Sequence, residues 1–238
     1  MRYFILKFFK MLFKFPYSSK LYMFLLTGII NKYHIGKGLK SKTFIPQGGF
    51  YLNLRLDDWL QQQIYFLGSY ENYELQVLKS KLNQGSIMID IGANIGLYSF
   101  FSASIVGKAG KVISFEPYSL NFNIFKENLA LNKFENIILN RFALADKNDV
   151  IELFYNSKEL NLGMVSAFEK NFEEFETVNC TTLDYYLMDK NLTKIDFIKM
   201  DIEGGEYLAL LGMNETIKNS DLLFKLKLMK ILLRKPHT

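Results

Sequence analysis

The chain has 238 residues, 49% of them hydrophobic and 16% aromatic, with 29 Lys and Arg against 24 Asp and Glu. That is enough apolar material for one α/β domain with an N-terminal extension, and it excludes a chain without a core. The single cysteine, Cys180, excludes an intramolecular disulfide and suits a reducing, cytoplasmic setting.

Charge is unevenly placed along the chain. Ten Lys or Arg and no acid precede Asp57, and residues 222–238 carry Lys225, Lys227, Lys230, Arg234 and Lys235, again without an acid. Residues 57–221 hold 14 basic and 24 acidic residues, a net of −10, so an acidic body carries two basic, apolar ends. In "YFILKFFKMLFKF" (3–15) a helix would set Lys7, Lys10 and Lys14 on one stripe among apolar residues, ending at Pro16. This pattern suits a helix lying on an anionic membrane surface, with residues 1–30 as the contact region; packing into a core is the alternative. It lacks the arginine density of a nucleic-acid arm, so no nucleic acid is expected. "LYMFLLTGII" (21–30) is too short to span a bilayer, and the first apolar run lacks the features of a signal peptide.

There is no internal repeat. Residues 1–49 read as a basic amphipathic extension and 50–238 as the main domain. "FYLNLRL" (50–56) alternates like a strand, and 71–83 reads as a helix. A strand–helix alternation follows: strand 86–91, helix 95–106, strand 111–117, helix 119–132, strand 136–144. Residues 150–154 and 176–181 suggest a hairpin, 194–202 another buried strand, 204–218 a helix and 221–228 a last strand. Alternation on this scale predicts βαβ units and a parallel sheet.

The chemistry concentrates in "IDIGANIGLYSF" (89–100). Gly92 and Gly96, directly after a strand, allow a sharp turn and close approach to a ligand. The dinucleotide fingerprint G-x-G-x-x-G is not met, since Ala93, Asn94 and Ile95 separate the two glycines, and Asp90 would repel a pyrophosphate. Asp90 would instead attract a cation such as an ammonium or sulfonium. Glu116, at the end of the second strand of the alternation, can accept both ribose hydroxyls of an adenosine. Together these favour S-adenosyl-L-methionine over a nicotinamide dinucleotide; the plainer alternative has the glycines serving helix–strand packing and Glu116 solvated. "GKAGK" (107–111) lacks the Ser or Thr of a phosphate loop. His34 and His237 lie outside the motif region, and no cluster has metal spacing, so no metal is expected.

"GSIMIDIGANIGLYSF", "FEP" (115–117) and "IDFIKMDIEGGEYLALLG" (195–212) resemble the FkbM-type class I methyltransferases. "IYFLGSYENYE" (64–74), "FALADKND" (142–149) and "TTLDYYL" (181–187) are similar to intervening segments of that family. The resemblance covers roughly residues 50–223. It implies a seven-stranded Rossmann-like sheet with helices on both faces, S-adenosyl-L-methionine as methyl donor, and O-methylation, often of sugar hydroxyls. It also implies that Asp90, Gly92, Ala93, Asn94 and Gly96 line the methionine and ribose end, that Glu116 holds the ribose, and that Phe142 and Ala143 lie near the adenine. Glu71 is a candidate for the cofactor's amino group, or a solvated acid at a helix start. Asp201 and Glu203, after a parallel strand, are candidates for the catalytic base, Asp201 first; their alternative is capping the helix that begins near Gly204.

The ending "DLLFKLKLMKILLRKPHT" (221–238) departs from the family pattern, which continues through further strands. The sheet is therefore expected to be incomplete at its C-terminal side. Two functional readings follow: an enzyme acting on a glycan or other hydroxyl-bearing acceptor at the inner face of a membrane, or a truncated, non-catalytic, membrane-associated binding module.

Overall fold

The computed structural model describes residues 2–12, 30–68, 70–156, 165–166, 174–202, 204–218 and 226–228. The described residues up to Asn72 form one compact unit and those from Tyr73 onward a second.

In the first unit, α1 (Arg2–Leu12) precedes a hairpin of β1 (Lys40–Ile45) and β2 (Phe50–Arg55), followed by α2 (Trp59–Leu67). The hairpin buries alternate residues, as the pleat of a half-covered strand requires, with Phe50, Leu52 and Leu54 wholly inside. Asp58 starts α2 by accepting the Gln61 N–H at 2.8 Å. α1 packs against α2, with Leu6 fully buried and the Lys10 ammonium 4.1 Å from the centre of the Tyr65 ring. Of the expected helix 3–15, the part to Leu12 is described; Lys14, Pro16 and residues 21–29 lie outside the described residues.

α3 (Asn72–Lys81) leads into the second unit, where β3 (Ile87–Ile91), α4 (Leu97–Val106), β4 (Lys111–Phe115), α5 (Ser119–Ala130) and β5 (Ile137–Asn140) realise the expected alternation. β6 (Ala143–Leu144), β7 (Asp149–Tyr155), β8 (Val165–Ser166) and β9 (Glu174–Thr181) follow, then α6 (Leu183–Asp189), β10 (Phe197–Met200), α7 (Glu206–Leu211), α8 (Asn214–Lys218) and β11 (Leu226–Leu228). Among the described residues the central sheet has five strands, all parallel, in the order β11-β10-β3-β4-β5. Its core is Ile89, Ile91, Ile113, Phe115, Ile198 and Met200, with Leu183 and Met213 packed over them. Full burial of each such side chain contributes about 1.5–3 kcal/mol.

Two expectations change, and the terminal strand is found. The strand expected over 136–144 stops at Asn140, and the chain then joins a second, four-stranded sheet in which Ala143 pairs with Cys180. The helix expected over 204–218 is two helices, because the Asp184 carboxylate accepts the N–H groups of Glu215 and Thr216, each at 2.8 Å, and starts α8 separately. The terminal strand is present as β11, alongside β10 with Leu226 opposite Ile198; residues 221–225 and 229–238 lie outside the described residues. The hairpin suggested by 150–154 and 176–181 is the antiparallel pair β7–β9.

Candidate active site

Strand order reverses at β3, with β4 and β5 on one side and β10 and β11 on the other. In open parallel sheets, ligands settle beyond the carboxyl ends of the strands at this reversal. The loops leaving β3, β4 and β10 there carry Gly92–Gly96, Glu116 and Asp201.

The loop after β3 is tied down through its backbone. The Gly92 and Ala93 N–H groups both donate to the Phe115 carbonyl at 3.0 Å, and the Asp201 N–H donates to Ile91 at 3.0 Å. Gly92 (φ 75°) admits no side chain, because a Cβ there would be driven into the Asp201 carbonyl oxygen. Gly96 (φ 95°) would drive a Cβ into the rings of Phe100 and Phe125. Protein contacts therefore demand both glycines, in line with the packing alternative for them. Asn94 holds a left-handed φ of 51° and accepts the Ile95 N–H on its own side chain at 2.8 Å. Ala93 and Gly96 are buried, whereas Gly92 and Asn94 keep part of their surface.

Glu116 is 5% exposed. Its Oε2 accepts the Asn94 N–H at 2.7 Å and its Oε1 the Tyr118 N–H at 3.0 Å. Burial outweighs the pull of these donors and of the Lys199 charge and raises its pKa to about 7. Two lone pairs per oxygen leave it acceptor capacity for two further donors. Glu176 fixes the segment that follows, accepting the Ser119 N–H at 2.6 Å and the Ser119 hydroxyl at 2.5 Å at the start of α5.

Asp90 is fully buried and faces a cation of the protein itself, while its Oδ1 has no hydrogen-bond partner among the described residues. The Lys199 Nζ lies 3.2 Å from Oδ1, and Ser99 Oγ donates to Oδ2 at 2.6 Å, with Ser114 Oγ 2.8 Å beyond. Lys199 and Ser114 are the register partners of Asp90 on β10 and β4, so a polar row crosses three strands of an otherwise apolar sheet. The sequence reading missed Lys199; the signal was a lone lysine inside the apolar strand "FIKM". It also missed Glu206, whose carboxylate accepts the Gly204 N–H at 2.9 Å and the Ile202 N–H at 3.4 Å and so secures the loop after β10.

The remaining candidates separate. Asp201 stands at the carboxyl end of β10, against Gly92. Glu203 lies outside the described residues. Phe142 packs on the central core, and Ala143 is buried in the core of the second sheet. Glu71, at φ 50°, belongs to the first unit. Among the described residues no group of His, Cys, Asp and Glu could hold a metal ion.

The Methyltransferase FkbM domain matches residues 90–229. The chain belongs to the FkbM methyltransferase family. By that match it is a methyltransferase domain with S-adenosyl-L-methionine as its cofactor, and the glycine loop after β3 and the buried acid after β4 lie inside the matched residues. The residues fit that cofactor, since Glu116 offers a buried carboxylate with acceptor capacity to spare where ribose hydroxyls would need one.

Among curated proteins, the chain is 26% identical over 165 residues to methyltransferase sdnD of Sordaria araneosa, covering 57% of this chain and 63% of the relative. The matched part thus spans less than two thirds of that relative. Among solved structures, it is similar to an S-adenosylmethionine-dependent methyltransferase from Aquifex aeolicus, with a TM-score of 0.30 and 24% identity over 36% of this chain and 48% of the other. It is also similar to Aeropyrum pernix fibrillarin with natively bound S-adenosyl-L-methionine, with a TM-score of 0.27 and 14% identity over 30% and 32% of the two chains. The assignment rests on the family match.

Proposed function

We propose that this FkbM-family chain methylates a hydroxyl oxygen, with a sugar or glycan hydroxyl as the acceptor. The observation that carries the cofactor part of the reading is Glu116, a buried carboxylate after β4 whose amide bonds leave acceptor sites for a ribose diol; the sugar acceptor follows from the family resemblance. When bound, S-adenosyl-L-methionine supplies a methyl group already activated on a sulfonium. The contribution of the protein is orientation: the loops after β3 and β4 hold the cofactor, and those after β3 and β10 meet at Gly92 and Asp201. Asp201 is the first candidate to accept the proton of the acceptor hydroxyl, and Glu203 the second.

Calorimetric titration with S-adenosylhomocysteine, with NADH as the control ligand, tests this reading. Micromolar binding lost in Glu116→Ala, with no heat from NADH, is the expected result. No binding to a cooperatively folded protein would leave a non-catalytic domain with the ancestry of a methyltransferase.

The same chain is proposed to work in the cytoplasm, resting on an anionic membrane surface through α1. Phe4, Phe8 and Met11 share one face at spacings of four and three and are 77%, 54% and 54% exposed. Lys7 is exposed on the same helix, and no acid precedes Asp57 to oppose anionic headgroups. No helix among the described residues is long and apolar enough to cross a membrane. Cosedimentation with phosphatidylcholine vesicles, with and without phosphatidylserine, should show serine-lipid-dependent binding that Phe4→Ser with Phe8→Ser abolishes. Equal pelleting of the two proteins would refute this mode of attachment.

A further inference from the structure

We infer that Lys199 is a positioning residue for the cofactor loop, acting through the carbonyl of Gly92. This deepens the reading of that loop as an S-adenosylmethionine site and rests on it. Lys199 is 4% exposed at the centre of the sheet, where a lysine is costly unless every part of its ammonium is engaged. Its Nζ donates to Gly92 O at 2.8 Å, lies 3.2 Å from Asp90 Oδ1, and sits 5.1 Å from the centre of the Tyr98 ring. The carbonyl of Gly92 belongs to the first residue of the loop, beyond the last ladder residue of β3. A buried cation there fixes the peptide between Gly92 and Ala93, and with it the direction in which residues 93–96 leave the strand.

The three contacts divide the work. Asp90 supplies the counter-charge that lets the lysine stay buried, and Ser99 and Ser114 hold Asp90 in place from the neighbouring helix and strand. Neutralising Asp90 cannot be the whole role, because the shorter contact is to the uncharged carbonyl. A lysine that only balanced Asp90 would become dispensable once Asp90 carried no charge. One that holds the loop would still be needed.

The test is a cycle on the full-length chain: wild type, Lys199→Met, Asp90→Asn and the double variant. Each is measured for S-adenosylhomocysteine affinity and for amide hydrogen exchange at residues 92–96. In the Asp90→Asn background, Lys199→Met should still weaken binding about tenfold or more, the worth of one charge-assisted hydrogen bond. Exchange at 92–96 should accelerate by a similar factor relative to Asp90→Asn alone. Lys199→Arg, which keeps the charge but changes its shape and reach, should recover only part of the affinity. Equal affinity and equal exchange in Asp90→Asn and the double variant would overturn the inference and reduce Lys199 to a counter-ion. Wild-type protein that binds no S-adenosylhomocysteine overturns the cofactor reading and this inference with it. Binding by the wild type, with Asp90→Asn and the double variant alike in affinity and exchange, overturns this inference alone.

Discussion

At the end of β3, Asp90 has an ammonium 3.2 Å away and a hydroxyl at 2.6 Å; at the end of the adjacent strand β4, Glu116 is held at 2.7 and 3.0 Å by backbone amides. Both carboxylates are buried. Asp90 has a full counter-charge and therefore belongs to the internal structure. Glu116 has donors but no cation in contact among the described residues, and burial raises its pKa to about 7. The contrast separates a charge paired with a cation of the protein from one held by backbone amides alone. A glance at the motif would have assigned both acids to the cofactor.

The largest expected effect comes from breaking the satisfied pair. Lys199→Met leaves Asp90 buried without its cation, and removal of one partner of a buried ion pair costs about 3–5 kcal/mol. Denaturant unfolding should show a lower midpoint with an unchanged slope. The double variant Asp90→Asn with Lys199→Met should regain most of that loss, because no uncompensated charge remains. A single variant as stable as wild type would mean that the pair is solvated, and the contrast with Glu116 would collapse.

Legibility in the sequence follows the same line. The parallel sheet was readable because β3, β4 and β10 are mostly apolar runs alternating with helices, and Glu116 stood out as an acid directly after such a run. Lys199 was not readable as a partner of Asp90, since the two are 109 positions apart and meet only through the β3–β10 register. For the glycines the structure supplies a packing reason: Gly92 makes room for Asp201 and Gly96 for two phenylalanine rings, contacts that no local pattern encodes. The end of the third expected strand was hidden for a related reason. "ILNRFAL" stays apolar enough to extend, yet Asn140 bonds sideways to Ser114 O at 3.2 Å and to the Tyr186 hydroxyl at 3.1 Å, and the chain changes sheets.

The next effect concerns Glu116 and has two opposite signs. In the ligand-free protein its folded pKa of about 7 exceeds the ordinary carboxylate value of 4.5, so the folded state binds the proton more tightly. The associated stability is fully present below about pH 4.5 and is lost as pH rises through 7, with an upper bound of about 3 kcal/mol. Glu116→Gln should flatten this part of the stability curve. Ribose hydroxyls donating to the carboxylate favour its charged form, so S-adenosylhomocysteine should bind more tightly as pH rises through 7 and should release a proton near pH 6. Calorimetry in buffers of different ionisation enthalpy measures that proton. Uptake in place of release would mean that the ligand's donors point elsewhere.

The smallest effect is expected at the third strand end, where a half-buried carboxylate provides an intermediate case. Glu206 accepts the N–H groups of Gly204 and Ile202 at the start of α7, so its charge sits near the positive end of a short helix and has water for the remainder of its solvation. Glu206→Ala should cost about 1 kcal/mol, as loss of a helix cap does, read as a small drop in the unfolding midpoint. Glu206→Gln keeps an acceptor and should cost less than half of that. Because Glu206 acts on the loop after β10 and not on the glycine loop, neither variant should weaken S-adenosylhomocysteine binding more than about threefold, a difference under 1 kcal/mol. A larger loss of affinity would show that the loop after β10 helps to hold the cofactor, and the division of labour among the three carboxylates would have to be redrawn with Glu206 beside Glu116.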